Sequence, residues 1–397
     1  MNIILFDDPA IRQNLLPLTF TRPVADLRVG ILTIAEKWGM HLGENISYLT
    51  QPYLQPKFNT IFGTINLYIN GAVCPDEQLL EAVRGLKIGE ALYDGETLVA
   101  ANGDNLEVHT LAELTSHISS GRKECGQCTI IQELWDIFLQ NGQQIRSDFK
   151  LLTAGRQSQP VNDRHTMTYG EENIFIEEGV KIRAAVLNAE NGPIYIGPNA
   201  VVQEGALIRG PFALCEGSYV SMGAKMRGDV TIGPFCKVGG EVSASVIMAY
   251  SNKGHDGYLG NSVIGQWCNL GADTNTSNLK NNYAEVKIWS YAQRGFKNTG
   301  QQFCGLMMGD HSKCSINTMF NTGTVVGVSA NIFGAGFPHT FIPSFSWGGA
   351  AGFEVYQMHK AMEVAKKVME RRSVPFDEVE QAVLSEIFVQ TQENRIW

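Results

Sequence analysis

The chain has 397 residues, of which 44% are hydrophobic and 18% are charged, and its formal net charge is −9. This length suits two or three domains, and the acidic balance argues against nucleic acid as a partner. The sequence contains no apolar run of the roughly 18 residues that a membrane span needs and no basic, signal-like start, so we expect a cytoplasmic protein without a membrane partner.

The first part of the chain reads as an open α/β sheet. Asn2–Phe6 is a short apolar run that Asp7, Asp8 and Pro9 interrupt, which is typical of a buried first strand, and Ile31–Trp38 is helix-like. Two further strand-like runs, Leu67–Ile69 and Leu98–Ala101, end in turn residues. Open α/β sheets bind ligands at such strand ends, so residues 1–155 are predicted to form a ligand-binding domain.

The order of these motifs resembles the sugar-1-phosphate nucleotidyltransferase family. The motifs are the first strand, the segment from Pro17-Leu18-Thr19 to Thr21-Arg22-Pro23, and Asn102-Gly103-Asp104 after a strand. The resemblance implies a Rossmann-type sheet that binds a nucleoside triphosphate and Mg²⁺. Arg12, Arg22, Arg28 and Asp104 are the candidate nucleotide-binding residues.

The same segment departs from the family pattern at the phosphate-binding loop. The family has a glycine-rich loop after the first strand and a lysine after its Arg-Pro pair. This chain has Asp7-Asp8 in the loop and Val24 at the lysine position. Glycine amides bind phosphate, whereas carboxylates repel it unless a metal intervenes. Three interpretations remain open: a working nucleotidyltransferase, a degenerate domain with a structural role, or a domain with altered binding.

The cysteines favour a reduced protein. Eight are scattered along the chain, and several, such as Cys236 and Cys314, fall on the repeat described below. Cys125 and Cys128 are spaced like half a zinc site, but no second pair stands at ligand spacing, so no metal site is predicted.

The segment 129–164 connects this domain to the rest of the chain. The apolar spacing of Thr129–Lys150 predicts a helix, which we expect to break at Asn141-Gly142. The polar stretch Gly155–Arg164 contains Pro160 and reads as a linker.

Aliphatic residues then recur at every sixth position. A period of six fits neither an α-helix nor a simple strand, but it suits a coil with three flat faces and one inward side chain per face. Residues 165–345 are therefore predicted to form a parallel β-helix. The repeat comprises Ile196, Val202, Ile208, Leu214, Val220, Met226, Ile232 and Val238, and later Met308, Cys314, Phe320, Val326 and Ile332.

Two stretches interrupt this repeat. Ser251–Tyr258 is too polar for a coil strand, and residues 278–303 carry several basic side chains, including Lys287. Insertions in repeat proteins project as loops and often carry function. Both stretches are therefore predicted to leave the coil.

The sequence around the first interruption resembles the bifunctional glucosamine-1-phosphate acetyltransferase/N-acetylglucosamine-1-phosphate uridylyltransferase (GlmU) family, most of residues 170–335 being covered. The resemblance implies a left-handed coil, acetyl-CoA as acyl donor, a sugar phosphate as acceptor and a homotrimer with sites between subunits. It assigns His255 as the catalytic base and Gly309–Thr318 to the acetyl-CoA region. The candidate substrate-binding residues are Arg227, Tyr258, Asn269 and Asn278, with Lys253 or Lys287 as a substitute for the family's lysines.

The chemistry of these residue types agrees with acyl transfer. A base with a pKa near 7 must take a proton from the acceptor amine, and histidine is the side chain with that pKa. Backbone amides at glycine-rich corners can stabilise the oxyanion. Outside this motif, each of these residues would be an ordinary surface or packing residue.

Two other functions are alternatives to acetyl transfer. A catalytically reduced trimeric scaffold or regulatory protein would keep the same coil. A coil-type carbonic anhydrase would need three zinc-binding histidines with two close in sequence, and His255, His311 and His339 lack that spacing.

Residues 350–397 form a predicted helical extension. The apolar spacing of Phe353–Arg372 indicates one amphipathic helix, and Ser373-Val374-Pro375 precedes a second whose first turn is acidic.

Overall fold

The computed structural model describes residues 2–43, 46–104, 106–118 and 121–396, without the side chain of Asp104. These residues form two compact units. The first unit comprises the residues up to 27 together with 32–133. The second comprises 28–31 and the residues from 134 onward.

The first unit is built on a mixed six-stranded sheet in the order β2-β1-β3-β6-β5-β7. Strand β1 pairs in parallel with β2 and β3, whereas β6 is antiparallel to both β3 and β5. Ile4, Phe6 and Tyr68 are fully buried in its core. The strands are β1 (Asn2–Phe6), β2 (Ile46–Leu49), β3 (Ile65–Asn70), β4 (Val73–Cys74), β5 (Glu90–Asp94), β6 (Thr97–Asp104), β7 (Gly121–Glu124) and β8 (Thr129–Ile130).

Side-chain caps fix where the first helices begin. Asp8 accepts hydrogen bonds from the backbone N–H groups of Ala10 and Ile11, at 2.9 and 3.2 Å, so the Asp-Asp-Pro segment caps a helix. Thr33 and Glu36 form a capping box at the second helix. The helices of this unit are α1 (Pro9–Asn14), α2 (Ile34–Leu42), α3 (Glu77–Arg84) and α4 (Leu111–His117).

The second unit is dominated by a coil of short parallel strands that stack into three sheets, here called the first, second and third faces. The first face contains Ile174–Ile176, Ile194–Ile196, Phe212–Leu214, Val230–Ile232, Val246–Ile247, Val263–Ile264, Met307–Met308, Val325–Val326 and Phe341–Ile342. The second contains Lys181–Ile182, Val201–Val202, Tyr219–Val220, Lys237–Val238, Asn252–Lys253, Asn269–Leu270, Lys313–Cys314, Asn331–Ile332 and Ser346–Gly349. The third contains Met167–Tyr169, Val186–Asn188, Leu207–Arg209, Lys225–Met226, Glu241–Ser243 and Tyr258–Gly260, and Asn275–Thr276 pairs separately with Met319–Phe320.

The six-residue repeat lies inside this coil. All eight residues from Ile196 to Val238 are at most 2% exposed, and the later members from Met308 to Ile332 belong to the same core. The predicted fold class is therefore confirmed: an α/β domain, then a left-handed parallel β-helix of hexapeptide repeats, then C-terminal helices.

The prediction that Ser251–Tyr258 leaves the coil is wrong for its first half. Asn252–Lys253 is a regular strand of the second face, and Lys253 takes the register position of Val238. The Lys253 side chain points inward and is 2% exposed. The coil tolerates it because its Nζ donates hydrogen bonds to the carbonyl oxygens of Gly239 and His255.

The second interruption does leave the coil, as predicted. Lys287–Ser290 and Gly295–Asn298 form an antiparallel hairpin between coil strands Val263–Ile264 and Met307–Met308, which pair directly with each other.

The expected break at Asn141-Gly142 is also wrong, because helix α5 (Leu134–Thr153) runs through it. Asn141 donates from Nδ2 to the carbonyl oxygen of Asp229 at 2.9 Å and accepts from the hydroxyl of Thr231 at 3.0 Å. A side chain at Gly142 would overlap the Asp229 carboxylate. The two residues are therefore part of the contact between α5 and the first face.

The C-terminal extension contains two helices, α6 (Met358–Glu370) and α7 (Glu378–Gln390). The first begins later than predicted, because Gly352–Val355 forms a strand antiparallel to Ser346–Gly349. Helix α6 buries the side chains of Ala361, Ala365 and Met369, and Asp377 is the N-cap residue of α7. Across the described residues, no helix combines the length and apolar character of a membrane crossing.

Candidate active site

His255 lies at a corner of the coil between the second and third faces. It follows strand Asn252–Lys253, precedes strand Tyr258–Gly260 and is exposed. The Nζ of Lys253 donates to the His255 carbonyl oxygen at 2.9 Å and to that of Gly239 at 3.0 Å. Burial lowers the pKa of Lys253 to about 8. The loop that presents the imidazole is thus held from inside the coil.

Glycines make this corner possible. Gly257 has a φ of +115°, a backbone conformation that other residues rarely adopt, and any side chain there would overlap the carbonyl oxygen of Thr274.

On the third face, the structure brings together three of the predicted substrate-binding residues. Asn278 donates from Nδ2 to the hydroxyl of Tyr258 at 3.1 Å and to Oδ1 of Asn261 at 2.8 Å. Burial raises the pKa of Tyr258, while the Asn278 hydrogen bond and the nearby Arg227 oppose that rise. Arg227 pairs with Glu241 at 2.8 Å and keeps 62% of its side chain exposed. The guanidinium is thus accessible to an anion.

On the second face, an open cleft of about 730 Å³ is lined by His255, Asn269, Tyr250 and Trp267 and reaches α6. Asn269 is exposed, and its strand pairs with Asn252 on one side and Lys313 on the other. His255 therefore lines the cleft, and along the chain it stands shortly before Tyr258, a member of the third-face cluster of Arg227, Tyr258 and Asn278.

Lys287, the other predicted lysine, is on a different element. It is exposed on the hairpin, opposite Asn298. The described residues that line the cleft do not include it.

The arginines predicted to bind nucleotide are buried. Arg12 donates to the carbonyl oxygen of Thr19 at 2.6 Å and to the hydroxyl of Tyr53 at 2.8 Å, and its Nε lies 3.4 Å from Asp7. Arg22 pairs with Asp26 at 3.4 Å. These side chains therefore stabilise the interior of the first unit in this conformation.

The remaining nucleotide-site candidates lie elsewhere. Arg28 belongs to the second unit, where it is buried and donates to the carbonyl oxygen of Ile31. Asp104 ends β6, and its side chain lies outside the described residues.

Asp7 is not available as a phosphate or metal ligand in this conformation. Its two carboxylate oxygens accept hydrogen bonds from the Val24 amide at 2.7 Å and the Thr50 hydroxyl at 2.5 Å. Burial raises the pKa of Asp7, and the charge of Arg12 partly opposes that rise.

The Cys125 and Cys128 sulfurs lie 3.3 Å apart. The described residues contain no group of three or more His, Cys, Asp or Glu side chains placed to hold a metal ion.

Sequence reasoning missed four basic residues of the cleft: Lys237, Lys313, Arg371 and Arg372. Lys313 lies within the stretch that the resemblance links to acetyl-CoA. The two arginines gave no signal, because more than 100 residues separate them from His255 and only folding brings them to the same cleft.

Comparisons with known proteins agree with this architecture. Residues 3–157 match the family model described as sugar nucleotidyl transferase. The chain is 37% identical over 87 residues to "Bifunctional protein GlmU" of Methanocaldococcus jannaschii, covering 22% of this chain and 21% of that protein. It is 31% identical over 160 residues to "Bifunctional sugar-1-phosphate nucleotidylyltransferase/acetyltransferase" of Sulfurisphaera tokodaii, covering 40% and 37%.

A third relative is "Putative uncharacterized acetyltransferase YaiX" of Escherichia coli K12, 24% identical over 177 residues, covering 44% of this chain and 74% of that protein. The alignments with the two bifunctional relatives span less than half of those proteins. The molecule thus combines a nucleotidyltransferase-like domain with a hexapeptide-repeat β-helix. Its resemblance to the GlmU-like bifunctional enzymes is confirmed at modest identity.

Proposed function

We propose that the chain is an acetyltransferase that moves an acetyl group from acetyl-CoA to the amine of an amino-sugar 1-phosphate, such as glucosamine 1-phosphate, in cytoplasmic nucleotide-sugar biosynthesis. One observation carries the proposal. His255 stands at a coil corner, where it lines the large cleft on the second face and precedes the third-face strand that begins at Tyr258, near the accessible Arg227. Two substrates can approach this imidazole from two sides.

The reaction needs a base for the amine proton and a site that holds the acceptor phosphate. The acceptor amine attacks the thioester carbonyl carbon, His255 takes the amine proton, and the C–S bond breaks to release the CoA thiol, which takes up a proton. Arg227, with Tyr258 and Asn278 beside it, would bind the acceptor phosphate through charge-assisted hydrogen bonds. Asn269, in the cleft, would contact substrate. Lys253 would act as a positioning residue, because it holds the His255 backbone and is itself buried.

A homotrimer forms part of the proposal. Exposed apolar side chains lie on the coil, including Met222 at 70% and Ile316 at 66% exposure. A second copy could cover such residues, and closed rotational symmetry would repeat the contact three times. Light scattering of the purified full chain should report three times the monomer mass, and a monomer in the presence of both substrates would contradict the trimer.

The first unit is proposed to be reduced in nucleotidyl transfer. The described residues do not fit a bound nucleoside triphosphate and Mg²⁺, because Asp7, Arg12 and Arg22 are buried and already paired. This observation favours the structural interpretation of the domain over a second active site.

The experiment that tests acetyl transfer is an assay of thiol release from acetyl-CoA across a panel of amino-sugar phosphates. Release with at least one of them, and its loss on substitution of His255, is the expected result. No release with any acceptor would leave the alternative of a catalytically reduced scaffold or regulatory protein.

A further inference from the structure

Cys125 and Cys128 form a pair of thiols that the proposed function leaves without a role. Their sulfurs lie 3.3 Å apart in the loop that joins β7 to β8. Both side chains are partly exposed, whereas the other six cysteines of the chain are buried. A reagent from solvent can therefore reach these two thiols before it reaches any other cysteine.

The loop that carries the two thiols is anchored to β5 on both sides. The Cys125 amide donates to the carbonyl oxygen of Tyr93 at 2.9 Å, and the Cys128 amide donates to Oδ2 of Asp94 at 2.9 Å. Gly126 has a φ of +78°, which other residues rarely adopt, so this glycine allows the tight turn between the two cysteines. The loop is thus fixed at both ends with its two sulfurs next to each other.

The hydrogen bonds of the two thiols give them different chemical roles. The Cys125 thiol donates to the carbonyl oxygen of Tyr93 at 3.1 Å. Burial raises the pKa of both thiols, but the hydrogen bond between them opposes that rise at Cys125 and adds to it at Cys128. Cys125 is therefore the thiol that ionises more readily, and the thiolate is the form that attacks a disulfide.

We propose that Cys125 and Cys128 are a reversible oxidation site, which low-molecular-weight disulfides convert to an intramolecular disulfide with Cys125 as the attacking thiol. The Cys125 thiolate attacks one sulfur of the reagent, and the first small thiolate leaves. The Cys128 thiolate then attacks the Cys125 sulfur of the mixed disulfide, and the second small thiolate leaves. The protein loses two electrons and two protons, and the reagent is reduced to two small thiols. In a reducing compartment such a pair stays reduced until the thiol pool becomes oxidised.

The disulfide would close the connection between two strand pairs of the first unit. Strand β7 is parallel to β5, and β8 is antiparallel to β4. A covalent link restricts the unfolded chain, whereas the folded loop already holds the two sulfurs together. Oxidation is therefore expected to stabilise the first unit.

The test treats the full chain with cystamine, a low-molecular-weight disulfide, and follows its mass and its peptide map. The parent should lose two hydrogen atoms and carry one disulfide between Cys125 and Cys128, formed at least about tenfold faster than any modification of the six buried cysteines. Dithiothreitol should restore both thiols. A lasting cysteamine adduct on either cysteine of the parent, or a pair that reacts no faster than the buried cysteines, would overturn the proposal.

Two single variants test the order of the two steps. Cys128→Ser lacks the second thiol and should stop at a stable mixed disulfide on Cys125. Cys125→Ser should react with cystamine at least about tenfold more slowly than Cys128→Ser, because its remaining thiol is harder to ionise. Equal rates in the two variants would refute Cys125 as the attacking thiol.

Two further measurements separate a redox pair from other uses of the same thiols. The melting temperature of the oxidised parent should exceed that of the reduced parent by about 2–6 °C, and Cys125→Ser/Cys128→Ser should show no shift after the same treatment. A lower melting temperature after oxidation would overturn the proposal, because the loop would then oppose the disulfide. Stoichiometric zinc in the purified, reduced parent would identify the thiols as metal ligands and would also overturn it. Neither measurement depends on acetyl transfer, so the inference stands or falls separately from the proposed function.

Discussion

Lys253 donates a hydrogen bond from Nζ to the backbone carbonyl oxygen of His255 at 2.9 Å, although its own side chain occupies an inward position of the coil. The strand register aligns it with Val238. A lysine in an aliphatic stack costs stability unless its ammonium group is hydrogen-bonded. Here the two hydrogen bonds of Lys253 also hold the corner that presents His255.

Lys253→Met tests that task. Methionine fills a similar space in the coil, but the carbonyl oxygens of Gly239 and His255 lose their donor, so His255 should be less well positioned. We expect kcat to fall about tenfold with little change in either KM, since misplacement of a catalytic group acts mainly on the transition state. Lys181→Met, on an exposed position of the same face, is the matched control. A Lys253→Met enzyme with the parental kcat would show that the lysine does not position His255.

The stability of the parent and that of Lys253→Met should depend differently on pH. The pKa of Lys253 is about 8 in the folded chain against 10.5 for an unperturbed lysine, because burial disfavours the charged form. Between these two pKa values the folded state binds fewer protons than the unfolded state, so the free energy of unfolding rises with pH. Below pH 8 the lysine is charged in both states, and the full free-energy cost of burying the charge is present. Relative to Lys253→Met, the parent should gain about 2 kcal/mol between pH 7.5 and 10. Urea unfolding of both proteins at the two pH values measures it, and an unchanged difference would contradict a buried charged lysine.

Arg227→Ala should weaken acceptor binding. The guanidinium is 62% exposed beside Glu241, so its loss should raise the acceptor KM about ten- to a hundredfold and leave kcat and the melting temperature nearly unchanged. Arg209 holds the equivalent position one coil earlier, so Arg209→Ala is the control. Steady-state kinetics with acetyl-CoA saturating separates the two parameters, and equal KM values for both variants would exclude Arg227 from the acceptor site.

The first unit should release little or no pyrophosphate from UTP and a sugar 1-phosphate in the presence of Mg²⁺. Asp7 and Arg12 are buried and pair with each other, so their side chains are not available to bind phosphate or a metal ion. Arg12→Met should instead destabilise the unit by about 3–5 kcal/mol, because it leaves a buried carboxylate uncompensated. Robust pyrophosphate release by the parent, lost in a stably folded Arg12→Met variant, would restore nucleotidyl transfer as a function.

The coil could be predicted from the sequence because most of its inward positions follow a local spacing of aliphatic residues. Ile196 to Val238 show the six-residue period without knowledge of any long-range contact. The predicted helix break at Asn141-Gly142 is wrong, because residue types that break isolated helices here make a close contact with Asp229. The prediction that Lys253 lies outside the coil is wrong, because polarity alone cannot reveal that the carbonyl oxygens of Gly239 and His255 accept hydrogen bonds from its buried ammonium group.

The candidate site was only partly predictable for a similar reason. Arg227, Tyr258 and His255 belong to one motif region, whereas Arg371 and Arg372 reach the cleft through the return of the chain in α6. Sequence patterns carry no information on which distant helix covers which face of a coil. The charge balance of the cleft is therefore a property of the fold.

Acetyl transfer itself is tested most directly by turnover of the parent and His255→Ala with acetyl-CoA and an amino-sugar 1-phosphate. His255 is exposed at a coil corner, so its removal should leave the melting temperature and CoA affinity unchanged. Loss of a general base should lower kcat by roughly 10²–10⁴-fold. A fully active His255→Ala enzyme, or a parent that transfers acetyl to none of the amino-sugar phosphates, would contradict the account.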